Sequence, residues 1–281
     1  MAPGATPEGL ILPQRAQGEL RLGFRRRGPA TVLAELYQQG TLKARLPRPE
    51  PDAMTTAVTL NTAGGITAGD VLESRITWHA GAAATVAAQS AERLYRADLA
   101  SAPARIATTL ELHDGAHGEW LPQETILFDA GRTHRRLTVN LAGNARFLGV
   151  ECLVFGRAAM GETLRQVEFH DRWSVSREGR LVLDERVRLD GAVAATLGRR
   201  AVAGGACGAA TIIHVAPDAE AALDAVRASL ADAPGEAAAS AWNGALVVRV
   251  LADHSRALRA TVLAALAPLR EGRAVPKVWQ C

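Results

Sequence analysis

Turn signals recur roughly every ten residues along most of this chain, and this spacing limits the folds that it can adopt. Between the turns lie strand-length segments in which apolar and polar residues alternate, such as residues 104–112 and 180–189. The turns themselves are rich in Gly, Asn and Asp, as at Asp190 and Gly191. No helical pattern interrupts residues 19–208, so the sequence predicts a mainly β body of sandwich, barrel or solenoid type.

The C-terminal part predicts helices as well as strands. Residues 217–231 repeat apolar side chains at helical spacing and begin with a proline, which suits a first helical turn. An Asn-Gly pair at Asn243 and Gly244 predicts a hairpin. Asp253 is expected to cap a second helix. The two helices are predicted to lie side by side on one end of the β body.

Length and composition indicate a soluble protein with one main domain. We expect a loose leader over residues 1–18 and a single domain over residues 19–281, divided into a β body (19–208) and a strand-and-helix part (209–281). A net charge of +3, from 32 basic and 29 acidic residues, does not suggest a nucleic-acid-binding surface. Because no run of about 18 apolar residues occurs, we expect a cytoplasmic protein without a membrane segment.

A glycine-rich corner at residues 60–70 is the most distinctive local motif. Gly64, Gly65 and Gly69 permit positive φ or a close approach of another chain, and Asp70 ends the corner. A phosphate-binding loop would lead into a helix, whereas the residues after Asp70 alternate as a strand does. The corner is therefore either a turn capped by Asp70 or a fixed mount for a functional carboxylate.

Histidines and cysteines form no recognisable metal or nucleophile motif. His113 and His117 have the spacing of a helical metal pair, but the Asp-Gly sequence between them predicts a turn. Cys152 lies in an apolar segment and is expected to be a buried hydrophobic residue rather than a nucleophile. Cys207 and Cys281 are isolated in the sequence, so neither a disulfide framework nor a zinc knuckle is expected.

Three acidic residues occupy positions that are predicted to face the interior. Asp70 ends the glycine corner, Glu151 interrupts an apolar strand, and Glu185 interrupts a strand of alternating apolar and basic residues. A buried ionised carboxylate is costly unless it is paired or lies beside water or a metal ion. Arginines that could pair with these acids are Arg157, Arg186 and Arg188. The acids are therefore either paired core residues or part of a polar path through the β body.

Together these motifs resemble one family, the urease accessory proteins UreD, which are also called UreH. The matching stretches keep the family's order from about residue 19 to residue 279. They are residues 36–40, 60–70, 88–91, 95–96, 121–128, 145–149 with Glu151, 155–158, 185–191 and 275–279. The chain departs from the family pattern at Thr67 and Ala68, where relatives often carry a glycine, and at its terminal Cys281.

The resemblance implies a non-enzymatic scaffold for nickel delivery, with an irregular, layered, β-helix-like fold and two helices. It implies binding to apo-urease on one side and to the accessory protein UreF on the other, with the GTPase UreG joining through UreF. A homodimer within this complex and transient nickel(II), without a tightly bound cofactor, are further implications. A water-filled channel would carry the ion, and the matching acids are Asp70, Glu151 and Glu185.

The residue types themselves suit the passage of nickel better than its storage. Histidine and cysteine clusters would retain Ni²⁺, which stands high in the divalent affinity order, whereas separated oxygen ligands bind it weakly. The alternative function is a carbohydrate-active β enzyme that uses two of the three acids as acid and base. Such enzymes bind sugars in grooves lined with aromatic residues, and an aromatic content of only 4% disfavours this alternative.

Overall fold

The protein is described by a computed structural model that covers residues 15–48, 54–97, 101–157 and 160–280. Most of the predicted leader and Cys281 lie outside the described residues. The first strand begins at Gln17, slightly before the predicted start of the domain at residue 19.

The described strands form two sheets, one of seven strands and one of ten. In chain order the strands are β1 Gln17–Arg27, β2 Ala30–Gly40, β3 Leu42–Arg45, β4 Thr55–Asn61, β5 Val71–Trp78, β6 Ala83–Ala88, β7 Glu92–Leu94, β8 Ala104–Leu112, β9 His117–Leu121, β10 Thr125–Leu127, β11 Gly131–Leu141, β12 Arg146–Phe155, β13 Gln166–Arg177, β14 Arg180–Ala192, β15 Gly208–Val215, β16 Glu236–Trp242 and β17 Ala245–Ala252. The seven-stranded sheet has the order β14-β13-β11-β8-β5-β1-β2. The other has the order β16-β17-β15-β12-β9-β6-β4-β3, and β10 joins β7 to β12.

Successive strands of the body alternate between the two sheets. β5, β8, β11 and β13 lie in the seven-stranded sheet, and β6, β9 and β12, which fall between them in sequence, lie in the other. Neighbouring strands of each of these sets pair in parallel, while antiparallel pairs occur towards the sheet edges, as at β1–β2 and β13–β14. The prediction of a mainly β fold is confirmed. Of the three architectures left open, a closed barrel is excluded for the described strands because both sheets have free edges.

The helices lie almost entirely in the C-terminal part of the chain. They are α1 Ala194–Leu197, α2 Leu223–Leu230 and α3 Ser255–Leu269. The two predicted helices, α2 and α3, pack against each other and against the outer face of the ten-stranded sheet. None of the described helices has both the length and the apolar character needed to cross a membrane.

The N-terminal cap of α3 differs from the prediction. His254, not Asp253, is the capping residue, because its backbone is extended and its Nδ1 accepts a hydrogen bond from the Ala257 N–H at 3.1 Å. The ring nitrogen thus satisfies one of the amides that the first helical turn leaves free.

Two apolar layers fill part of the space between the sheets. One contains Phe24, Trp78 and Phe147, and the other contains Leu127 and Phe169. A separate apolar cluster lies on the other face of the ten-stranded sheet, beneath α2 and α3. The candidate functional site lies between the first two layers.

Candidate functional site

Three strands each place one charged residue between the two apolar layers. On β13 the inward positions are Phe169, Asp171 and Trp173, so an acid separates two aromatic residues. β11 pairs in parallel with β13 and sets Arg135 directly opposite Asp171. β12, in the other sheet, adds Glu151. We call Arg135, Glu151 and Asp171 the polar layer.

The guanidinium of Arg135 connects the polar layer. Its Nη2 lies 2.7 Å from Asp171 Oδ2 and 3.0 Å from Glu151 Oε2, and its Nη1 donates to Thr125 Oγ1 at 2.8 Å. The Thr125 hydroxyl donates in turn to Glu151 Oε1 at 3.1 Å. The buried Nε of Arg135 has no hydrogen-bond partner among the described residues. One cation therefore serves two carboxylates, and the polar layer carries a negative charge when both are ionised.

Burial, more than the neighbouring charges, changes the protonation of Glu151. Burial raises the pKa of Glu151 to about 7; the charge of Arg135 opposes the rise, and that of Asp171 adds to it. The two acids raise the pKa of Arg135, which therefore remains protonated. The polar layer consequently gains or loses a proton at Glu151 near neutral pH.

A cavity of about 220 Å³ adjoins the polar layer between the sheets. All three residues of the polar layer contribute to its walls, together with Glu92 on β7 and the rings of Trp120 and Trp173. Its lining, as far as the chain is described, contains no histidine and no cysteine. Three carboxylates and the arginines Arg93, Arg135 and Arg136 therefore line a single space between the sheets.

Glu92 resembles Glu151 in its electrostatic environment. Burial raises the pKa of Glu92 to about 7, against a hydrogen bond from Asn61 and the positive charge of Arg135. The Asn61 contact is long, with Nδ2 at 3.5 Å from Glu92 Oε1. Burial thus raises the pKa of two of the three cavity acids above the usual range of a glutamate.

Asp70, the first predicted site residue, does not line this cavity. It is 3% exposed, and its Oδ1 and Oδ2 accept the backbone N–H groups of Ala16 at 2.7 Å and Thr67 at 2.8 Å. The carboxylate thus ties the glycine corner to the residues that lead into β1. This arrangement is the one that the capping interpretation expects.

The corner glycines make room for an aromatic ring. Gly64, Gly65 and Gly69 all have positive φ, and a Cβ at Gly65 would collide with the ring of Tyr95. The Tyr95 hydroxyl donates to the Gly64 carbonyl at 3.2 Å. The corner therefore seats Tyr95, and Gly64 also forms part of the cavity wall.

Glu185 also lies away from the cavity. It connects β14 to β17, where its two carboxylate oxygens each lie 2.6 Å from an Nη of Arg249. The arginines that the sequence suggested as partners bind other acids: Arg157 binds Glu162, Arg186 binds Asp184, and Arg188 binds Asp190. Of the three predicted acids, only Glu151 reaches the cavity.

The histidines and cysteines singled out from the sequence form no metal cluster in the described part of the chain. His113 lies in an exposed turn and His117 begins β9, so the two do not share a helix. Cys152 is 2% exposed, which confirms the prediction of burial, and burial raises the pKa of its thiol well above the usual value. Cys207 is half-buried and free. Within the described ranges, no three His, Cys, Asp or Glu side chains converge as a metal site.

Sequence reasoning missed Glu92, Arg135 and Asp171. For Asp171 a signal was available, because the acid interrupts the alternating apolar positions Phe169 and Trp173 on one strand. Arg135 sits two residues before Leu137 on the inward face of β11 and carries a weaker form of the same signal. Glu92 lies in a three-residue strand, too short for a periodic pattern to assign its face.

Comparison with known proteins shows the family to which the chain is similar. Residues 16–280 match the family model described as UreD urease accessory protein. A urease accessory protein UreD from Dinoroseobacter shibae is 47% identical over 271 residues, which cover 95% of this chain and 93% of the relative. Proteins of the same name from Rhizobium leguminosarum and a Methylobacterium species are 44% and 45% identical, with 95% of this chain covered in each case and 96% and 95% of the relatives.

Proposed function

Because the chain belongs to the UreD family of urease accessory proteins, we propose that it is a non-catalytic maturation factor that helps to deliver nickel to the urease active site. It binds apo-urease on one surface and UreF on another, and UreG joins the complex through UreF. Nickel(II) is its transient cargo. The observation that supports this role is the internal cavity faced by Glu92, Glu151 and Asp171.

The donor set of the cavity favours passage over storage. Carboxylate oxygens bind Ni²⁺ more weakly than imidazole or thiolate clusters, so an ion that meets only oxygen donors is readily released. The positive charge of Arg135, held 2.7 Å and 3.0 Å from two of these carboxylates, weakens cation binding further. The cavity therefore offers a cation brief contacts without a deep energy minimum.

Proton exchange at two of the acids suits the same role. A carboxyl group must lose its proton before it can bind a metal ion, so metal binding and proton release are coupled. Glu92 and Glu151, both with a pKa of about 7, lose this proton at little cost near neutral pH. Each can take a proton back when the ion moves on, which restores the neutral form.

Three broader features belong to this proposal. The alternation of parallel strands between two sheets supports the description of the body as β-helix-like. We place the protein in the cytoplasm, and as a homodimer within the maturation complex.

A carbohydrate-active enzyme is less well supported, because Glu151 and Asp171 share the guanidinium of Arg135 between the sheets instead of flanking an open sugar-binding groove.

The experiment that tests this role compares acids that line the cavity with one that lies outside it. Glu92→Gln and Glu151→Gln remove one carboxylate each from the cavity, and Glu185→Gln is the matched control because Glu185 pairs with Arg249 elsewhere. Each variant is co-expressed with urease subunits, UreF and UreG, and nickel per purified urease is measured beside retention of the variant in the complex.

We expect both cavity variants to lower nickel content severalfold with the complex intact, and the control to match the wild type. Normal nickel content in both cavity variants would remove the cavity from the delivery route. Fully active urease made without this chain would refute the maturation role itself.

A further inference from the structure

A second recess lies on the surface, close to the strand that carries Glu92. This surface cleft has a volume of about 730 Å³, and its walls include Tyr95, Arg96, Phe128, Arg157, Glu162 and Arg165. Three stretches that carry the family resemblance, residues 95–96, 121–128 and 155–158, each contribute to it although they are far apart in sequence.

Aromatic and arginine side chains build one wall of the surface cleft. The rings of Tyr95 and Phe128 meet edge to face, with centroids 5.0 Å apart, and the guanidinium of Arg157 lies over the Phe128 ring at 4.3 Å. The glycine corner fixes Tyr95 from behind through Gly65. Tyr95 is nevertheless 37% exposed, so part of its ring is available to a ligand.

Both acids of the surface cleft are engaged by groups of the protein itself. Glu162 accepts hydrogen bonds from Nε and Nη2 of Arg157, each at 3.0 Å, and these bonds lower its pKa. Asp129 uses Oδ1 to accept the backbone N–H groups of Arg165 and Gln166, each at 2.8 Å. The negative charges of the cleft therefore already have partners.

Two guanidinium groups of the cleft lack a close carboxylate partner, although both act from a distance on Asp129 and help to lower its pKa. The side chain of Arg165 is 78% exposed and comes no closer to Asp129 Oδ2 than 3.9 Å. The side chain of Arg96 makes no hydrogen bond or ion pair within the part of the chain that the structure describes. We propose that the surface cleft binds an acidic peptide segment of a protein partner, with carboxylates at Arg96 and Arg165 and an apolar side chain against Tyr95.

A peptide suits this geometry better than a free anion. Exposed guanidinium groups bind a small anion weakly because water screens the charges. A segment that covers Tyr95 excludes water from both arginines and strengthens each contact. Tyrosine and arginine are also the residue types that most often dominate binding at protein interfaces.

The partner's place in the urease maturation complex rests on the proposed function, whereas recognition of acidic peptide does not. A direct test therefore uses purified protein and a fluorescent hexapeptide of alternating Leu and Glu, with a Leu and Gln hexapeptide as the uncharged control. Binding is measured by anisotropy for the wild type, for Arg96→Glu with Arg165→Glu, and for Arg96→Gln with Arg165→Gln. Arg105→Glu is the matched surface control, because it reverses an exposed arginine on β8, outside the cleft.

We expect the acidic peptide to bind the wild type and the Arg105 variant equally, and the charge-reversed variant about tenfold or more weakly. The variant with Arg96→Gln and Arg165→Gln should also bind the peptide more weakly, by a smaller factor. It keeps the test possible if the charge-reversed variant fails to fold. Equal binding to the wild type and the glutamine pair would overturn the proposal. Displacement by inorganic phosphate as effective as by unlabelled peptide, at matched ionic strength, would also overturn it, since the site would then bind small anions.

The same variants test whether the surface cleft is needed to assemble the maturation complex. In co-expression with urease subunits, UreF and UreG, the reversed pair should lose one partner, while Glu151→Gln should keep all partners and lose nickel. Retention of every partner by the reversed pair, with the wild-type complex formed normally, would contradict the inference but leave the proposed function intact. A wild type that forms no complex would contradict the proposed function. The peptide measurement would still show whether the surface cleft binds an acidic peptide.

Discussion

The apolar layer around Trp78 and the polar layer around Arg135 lie between the same two sheets, yet they are stabilised differently. Trp78 is completely buried, lies 5.8 Å from Phe24 between ring centroids, and donates its indole N–H to the Ala84 carbonyl at 2.9 Å. Arg135 is bound to two acids whose combined negative charge exceeds its own positive charge. Its Nε has no hydrogen-bond partner among the described residues. The first layer depends on contact area, whereas the second depends on charge balance.

Side-chain size explains why the apolar layer is dense around Trp78, although its members Leu137 and Trp173 also border the cavity. Alanines such as Ala82, Ala84 and Ala116 pack around Trp78, and Gly118 leaves space for its ring. The polar layer cannot close in this way, because its charged groups keep fixed hydrogen-bond distances and are costly to bury without polar partners. The difference shows how one pair of sheets can hold a dense core and a polar space a few residues apart.

The largest expected effect comes from the dense layer. Trp78→Ala removes a fully buried ring and its hydrogen bond, so we expect the free energy of unfolding to fall by about 4 kcal/mol, independently of pH between 5 and 8. Urea denaturation at several pH values measures this. A loss below about 1 kcal/mol would mean that the layer is loosely packed and that the contrast with the polar layer does not hold.

Removing the Arg135 cation should lower the free energy of unfolding by a somewhat smaller amount, and the size of this loss should depend on pH. Arg135→Ala leaves Glu151 and Asp171 close together without a counter-charge, and we expect a loss of about 3 kcal/mol at pH 8. The loss should shrink at pH 5, where the acids can take up protons. Glu185→Gln provides the control, since its pair with Arg249, whose side chain is 61% exposed, lies away from the polar layer. A loss at Arg135 that is equal at both pH values would show that packing, not charge, holds this layer together.

The smallest effect concerns the titration of the cavity acids. Between pH 4.5 and about 7, Glu92 stays protonated in the folded protein but is ionised in the unfolded chain, so the free energy of unfolding decreases as the pH rises through this range. Glu92→Gln removes this contribution. As the pH rises from 5 to 7.5, we expect the free energy of unfolding to fall by about 1–2 kcal/mol less in the variant than in the wild type. Parallel curves for the two proteins would mean that Glu92 is well solvated.

The parts of the fold that follow from local pattern were predictable. The hairpin at Asn243 and Gly244 lies where the Asn-Gly pair indicates, since both residues take positive φ between β16 and β17. The helix α3 follows its apolar stripe and differs only in its cap, which moved by one residue to His254. These features depend on neighbours within a few residues, so the sequence contains nearly all the information that they need.

The candidate site was less predictable because its members meet only through long-range pairing. The strand pattern indicated an inward-facing acid at Glu151, and the structure places it there. The same reasoning could not link Glu151 to Arg135 or to Glu92, which lie on other strands. Asp70 has the expected burial but satisfies its carboxylate with backbone amides, a role that residue type alone cannot distinguish from a functional one.

The sequence by itself determined the mainly β body, the two C-terminal helices and the membership of the UreD family. The tertiary structure decided which acids share a cavity, which arginine compensates them, and that the surface cleft gathers residues from three distant stretches. Alternation along a strand specifies the face on which a side chain lies. It does not specify the register against a strand that is distant in sequence, and that register alone sets Arg135 opposite Asp171.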